Sequence, residues 1–476
     1  MQLEQLPVSK TARRKTLISS TAGAVIEWYE FTVYAAAAAL VFGPMFFPSL
    51  EPGVGLIASL ATFGVGFAAR PIGAVVSGHL GDSIGRKSTL ILTFSIMTAA
   101  TAGIGLIPTY AQIGIGAPIL LCILRFAQGF AVGGEWGGAA IIAVENAPKG
   151  KRGFYGSWPQ IGPSTGLLLG TAAITAASAL TGDQFVEWGW RVPFLASIVL
   201  TAVGLWIRLS AQESPAFLEQ KKRLEKIKEH PKTPIVELFK SNGRALLITI
   251  FARGVEAGNY YLFTVFVLSY LQTNHHVPRE YGLVAVMIGA ACTMLTIPII
   301  GAISDRLGRK RVFLCGGFFV VIFAWPLLEM IGTGHPVLIT LGVTLFLVLG
   351  NAVVYAPLAS FYCELYPTKV RYSGISIGYQ TMSVFLSGAT PVFAAWLIHV
   401  SNGSLWSLAL LASGSALLGV IAVCFAPETK NVDLDAVEPL PWKGEWISTI
   451  AQAEARDKTL ANAGAREAAM SAADNK

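Results

Sequence analysis

Long apolar runs divided by short polar breaks make up most of the chain. Runs of spanning length fall at about 18–44, 55–80, 88–108, 116–143, 153–178, 190–210, 244–271, 281–303, 311–331, 336–360, 373–398 and 403–426. A hydrocarbon core about 30 Å thick is crossed by about 20 apolar helical residues. Each run therefore predicts a membrane helix, twelve in all. The one long polar break, 210–243, is rich in Lys, Glu and Pro. The pattern predicts an all-α membrane protein built as two six-helix bundles. Its parts are a tail (1–17), a bundle (18–209), a linker (210–243), a second bundle (244–426) and a second tail (427–476).

Composition agrees. The chain is 53% hydrophobic and 13% charged, where soluble domains carry about 25% charged residues. The formal charge of +7 is set by placement and does not indicate nucleic-acid binding. Thirty Lys and Arg residues occupy the two tails and alternate loops, while the opposite loops hold only Arg279, with Arg191 at a helix start. The positive-inside rule puts both tails and the linker in the cytoplasm. The basic N-terminal stretch runs into a segment too long for a signal peptide. Five scattered cysteines give no CxxC pair, so neither a disulfide framework nor a bound metal is expected. No nucleophile–base pair is visible and the sequence does not read as an enzyme; no cofactor is expected.

Seven ionisable residues lie deep inside the apolar runs, away from their ends: Glu27, Glu30, Arg70, Arg125, Glu135, Arg253 and Glu256. A charge at bilayer depth costs about 2.5–3.5 kcal/mol even on the insertion scale, so such groups usually mark a substrate or proton path. At about 100° per residue, Glu30 and Tyr34 fall near −60° and −20° from Glu27, on one face. Trp28 and Tyr29 point elsewhere, to lipid or to packing. Gln128 and Glu135 share a broad face with Arg125.

The chain also repeats itself. "GHLGDSIGRK" (78–87) returns as "GAISDRLGRK" (301–310). Glu145, Pro148 and Arg152 return, with the same spacing, as Glu364, Pro367 and Arg371. "ESP" with Glu213 and "ETK" with Glu428 close the two halves. A parallel repeat of two six-helix halves is a transporter architecture, with a midplane site between halves that rock. Asp82, Arg86, Glu145, Arg152, Glu213, Asp305, Arg309, Glu364, Arg371 and Glu428 are therefore candidates for a cytoplasmic gate.

These motifs resemble the major facilitator superfamily. The Gly-x-x-x-Asp-x-x-x-Gly-Arg-Lys loops, "RFAQG" (125–129), "WGWRVPF", "ESPAFL" and "PETK" carry the likeness. "EWYEF", "FGVGFAARPIG" (63–73) and "GFAVGGEWGGA" (129–139) narrow it to the metabolite:proton symporter family, which holds bacterial shikimate, dicarboxylate, citrate and proline/betaine transporters. The resemblance covers about 16–430 and implies proton-driven uptake across the bacterial inner membrane. Glu30 departs from an Asp common in the family. "GPSTG" (162–166) partly resembles a motif associated with antiporters and keeps exchange open.

The residues themselves suggest a mechanism. Glu27 or Glu30 takes the coupled proton with Arg125 as partner, and Glu135 belongs to the same set. Arg70, Arg125 and Arg253 favour an anionic substrate, because Arg pairs bidentately with carboxylates. Gln128, Tyr34, Glu256, Asn259, Tyr260 and Gln380 complete the candidate binding residues. The reading is a monomeric importer of a small organic acid, cyclic or aromatic in one version. An exchanger, a zwitterion symporter of the betaine or proline kind, and a non-transporting sensor are the alternatives.

Overall fold

The computed structural model describes residues 10–209, 234–267, 270–271, 277, 279–432 and 434. Every regular element among them is helical. The spans are α1 (Lys10–Leu40), α2 (Pro52–Ser83), α3 (Arg86–Leu106), α4 (Gly116–Glu145), α5 (Arg152–Phe185) and α6 (Arg191–Leu209) in the first half. The second half has α7 (243–267), α8 (Arg279–Leu307), α9 (Arg309–Gly332), α10 (Pro336–Leu365), α11 (371–400) and α12 (Trp406–Cys424). Eight of these are long and apolar enough to cross a bilayer. The remaining four are α1, which carries Glu27 and Glu30, the short α6, and the interrupted α7 and α11.

The halves repeat each other in packing. α1 lies on α5 as α7 lies on α11, α2 on α4 as α8 on α10, and α3 on α6 as α9 on α12. Across the halves, α2 meets α11 and α5 meets α8. The described part of both halves belongs to one packed unit.

Glycines set how closely the first-half helices approach. A Cβ on Gly73 would sit 1.8 Å from the Phe130 carbonyl oxygen, and one on Gly129 would sit 2.1 Å from that of Gly66. Small residues let membrane helices touch backbone to backbone. This is the physical content of "FGVGFAARPIG" and "GFAVGGEWGGA", and it holds Arg70 on α2 against α4.

Several spans expected to be continuous α-helix are interrupted, α5 among them by a 3-10 turn at Pro159–Ile161. α7 passes from α-helix (Gly243–Ala252) to a 3-10 turn (Arg253–Val255), back to α-helix (Ala257–Tyr261) and into a π-helix (Leu262–Phe266). α11 carries a π-helix at Ser383–Gly388, and α10 one at Phe346–Ala352. Such wide turns concentrate at functional sites. The linker is not uniformly polar either: Pro234–Ser241 is a helix with Leu238 buried, and Glu237 pairs with Lys369. Glu213 lies outside the described residues.

Candidate substrate and proton site

Four of the expected residues surround one narrow cavity with room for about one water in this state: Glu27 on α1, Arg70 on α2, and Arg125 and Gln128 on α4. Phe31, Met97 and Val132 complete the apolar part of its wall. The Phe31 ring is shared by two like charges, with the guanidinium carbons of Arg70 and Arg125 5.1 and 5.3 Å from its centroid. Arg70 also faces Phe67 at 4.3 Å, and Arg125 faces Tyr34 at 3.9 Å. Each cation–π contact contributes about 0.5–2 kcal/mol without neutralising the charge. Arg70 and Arg125 are nearly fully buried, and the Nε of each has no hydrogen-bond partner among the described residues. Glu27 and Arg253 lie within electrostatic reach of Arg70.

Glu30 does not line this cavity. It is turned into the first bundle and is fully buried. Its Oε2 lies 2.5 Å from Thr101 Oγ1 on α3. Gln128 Nε2 donates to the same hydroxyl at 2.7 Å, and Arg125 donates to Gln128 Oε1 at 2.5 Å. The expected partnership of Glu30 with Arg125 is thus indirect, running through Thr101 and Gln128. Thr101 has one hydrogen and two acceptors in reach, Glu30 and the Met97 carbonyl at 2.9 Å. By valence it serves Met97 while bonded to Glu30 only when the Glu30 carboxyl brings its own hydrogen. Glu135, also fully buried, lies within electrostatic reach of Glu30. Tyr34 meets Thr62 through its hydroxyl at 2.5 Å.

The second-half residues do not line the cavity in this state. Arg253 pairs with Glu256 one turn on and stacks over Tyr379 at 3.8 Å. Asn259 packs toward α12: its amide donates to the carbonyls of Val255 and Ala412 and to Ser415. In this state its amide therefore meets α12 and not the Arg70–Arg125 cavity. Tyr260 meets Trp28 edge-on at 6.1 Å, so Trp28 faces the other half and not lipid. Tyr29, by contrast, packs inside and donates to the Pro193 carbonyl. Gln380 Nε2 reaches the Val132 carbonyl at 3.4 Å.

Sequence reasoning missed the stack that joins the halves below the cavity. Trp136 lies flat on Tyr379, 3.6 Å between centroids. Trp136 also donates to Gln160, and Gln160 donates to the Tyr355 carbonyl. Aromatic residues within an apolar run carry no signal that separates packing from bridging.

The gate candidates form two matching clusters. In one, Asp82 accepts from the backbone N–H groups of Tyr372 and Ser373 at 3.1 and 2.9 Å, while Glu145 pairs with Arg86 at 3.3 Å and with Arg371. In the other, Asp305 accepts from Gly153 and Phe154 at 2.8 and 2.9 Å, while Glu364 pairs with Arg309 at 3.2 Å and Arg152 at 3.7 Å. Each half thus supplies an arginine to the other half's glutamate. Glu428 accepts from the Arg309 and Lys310 N–H groups, capping α9. "GPSTG" has a packing explanation: Cβ atoms on Gly162 and Gly166 would press on Ala24 and Trp28 of α1.

The sequence profile described as sugar (and other) transporter matches residues 15–440. The chain belongs to this family of the major facilitator superfamily. The shikimate transporter of Escherichia coli (strain K12) is 39% identical over 425 residues, 89% of this chain and 97% of that one. The proline/betaine transporter of the same organism is 36% identical over 435 residues, 90% of this chain and 86% of that one. The solved proton:xylose symporter XylE, bound to 6-bromo-6-deoxy-D-glucose, shares the fold with a TM-score of 0.74, 16% identity, and coverage of 90% of this chain and 99% of that one. This major facilitator protein is a membrane transporter with twelve spans in two pseudo-symmetric bundles, and not an enzyme.

Proposed function

We propose that this transporter imports a small organic acid together with a proton across the bacterial inner membrane, by alternating access and with the gate loops in the cytoplasm. The observation that carries the reading is the pair of buried guanidiniums, Arg70 and Arg125, which line one cavity and whose Nε–H groups have no hydrogen-bond partner among the described residues. Leaving a buried donor unpaired costs about 1–3 kcal/mol. A substrate carboxylate supplies the missing acceptors. Arg253 is already matched by Glu256 and Glu27 offsets one cation, so one positive charge is left for a monocarboxylate.

Glu30 is the proposed proton site. With the carboxyl ionised, Thr101 and Gln128 turn toward it and Gln128 holds Arg125. A proton on Glu30 releases Thr101 to Met97 and loosens that hold, and Arg125 then takes the substrate. The loaded site is electrically balanced, and the two gate clusters open to the cytoplasm. The similarity to the shikimate transporter supports a cyclic hydroxy acid. The test is uptake of labelled shikimate, protocatechuate, 2-oxoglutarate, citrate and glycine betaine into vesicles under an imposed pH gradient, with and without a protonophore. Accumulation of one acid that the protonophore abolishes is expected. Uptake of no acid overturns the reading.

A zwitterion is the second reading. Glu27 lies beside Trp28 and Phe31, whose rings meet at 5.5 Å, and an acid with aromatic faces suits a quaternary ammonium. The similarity to the proline/betaine transporter points the same way. Selective uptake of glycine betaine in the panel would favour it. Counterflow from preloaded vesicles separates either import from exchange.

A further inference from the structure

The two repeated loops differ at two telling positions. "GHLGDSIGRKS" (78–88) aligns with "GAISDRLGRKR" (301–311). The shared residues have matching tasks. Asp82 and Asp305 accept backbone N–H groups, and Gly85 and Gly308 turn the chain at φ 119° and 107°. Arg86 and Arg309 meet Glu145 and Glu364. Lys87 donates to the Leu209 carbonyl at the end of α6, and Lys310 donates to Cys424 and Ala426 at the end of α12. What remains is Arg306 and Arg311, where the first half has Ser83 and Ser88.

Both arginine side chains are exposed, and neither guanidinium has a partner among the described residues. They border an open cleft together with Lys310 and Lys430. The one acid lining it among the described residues is Glu428, and its carboxylate already accepts from the N–H groups of Arg309, Lys310, Thr429 and Lys430. Leu307 and Leu314 form the apolar side of the cleft, with Leu307 56% exposed. Phe425, at the end of α12, is 66% exposed. Four cations at the ends of membrane helices, rimmed by exposed apolar side chains, match the chemistry of an acidic headgroup with its chains alongside.

We propose that this cleft binds an anionic phospholipid of the inner leaflet, its phosphate on Arg306 and Arg311 and its acyl chains along Leu307 and Leu314. The proposal rests on the cytoplasmic placement of the gate loops and is independent of which substrate is carried. The test titrates purified full-length protein, without substrate, with phosphatidylglycerol, phosphatidylcholine or glycerol 3-phosphate. The thermal midpoint is read, and retained lipid is counted by native mass spectrometry. Phosphatidylglycerol is expected to bind and stabilise, the other two not. R306Q/R311Q is expected to weaken phosphatidylglycerol binding at least tenfold with an unchanged midpoint in phosphatidylcholine, and R306K/R311K to retain most of it. Unchanged binding in R306Q/R311Q overturns the proposal, and equal protection by glycerol 3-phosphate overturns the lipid as ligand. If the double variant does not fold, R311Q alone in the same titration decides, with unchanged binding again counting against the site.

Discussion

The hydroxyl of Thr101 stands between a buried acid and a cavity cation, and removing it tests the relay without changing side-chain volume much. In Thr101→Val the short contact to Glu30 and the support of Gln128 are both lost. Accumulation driven by a pH gradient is expected to fall at least tenfold, while counterflow, which needs no net proton movement, persists. Glu30→Gln should separate the two in the same way. Full pH-driven accumulation by that variant would place the proton elsewhere. Arg125→Gln removes a charge-assisted donor, and at about 1.5–3 kcal/mol per such bond the substrate should bind about 10- to 100-fold more weakly in an equilibrium binding assay. The ionisable residues were legible because charge within an apolar run is anomalous. Their directions were not: Glu27, three residues before Glu30, faces the cavity, while Glu30 faces the bundle interior. The same holds for Asn259, whose depth says nothing about which neighbour its amide meets.

At the scale of helices, the α2–α4 contact is the one most exposed to substitution. Gly129→Val would drive a branched side chain into the Gly66 backbone. Overpacking costs about 1–3 kcal/mol and more where backbone is the obstacle. The variant is expected to melt at a clearly lower temperature in detergent and to shift Arg70 off the cavity; an unchanged melting curve would count against the tight contact. Twelve spans and their repeat were readable from apolar length and matched motifs. The π-helices of α7, α10 and α11 were not, because hydropathy reports where a helix lies and not its pitch.

Over the whole molecule, the gate clusters hold the halves together at one end. Removing one member of a buried pair costs about 3–5 kcal/mol because its partner is left charged. Arg371→Gln should therefore favour the form in which that end is open. Cys363, buried beside Glu364, is a native reporter. In a chain whose other cysteines are replaced by alanine, labelling of Cys363 by a soluble maleimide is expected to rise about tenfold in the variant. Equal labelling would separate the clusters from gating. The repeat made these residues legible, yet only the structure pairs Arg371 with Glu145 and Arg152 with Glu364 across the halves.

That exchange of arginines has a consequence for how the protein is assembled. Each bundle carries, at its loops, both an acceptor for its sibling's side chain and a side chain for its sibling's acceptor. The peptide between them is then not what tells one bundle where to find the other. Expressed as two separate polypeptides divided within 210–233, the bundles are expected to reunite in the bilayer as a working pair, which co-purification and uptake by the co-expressed halves check.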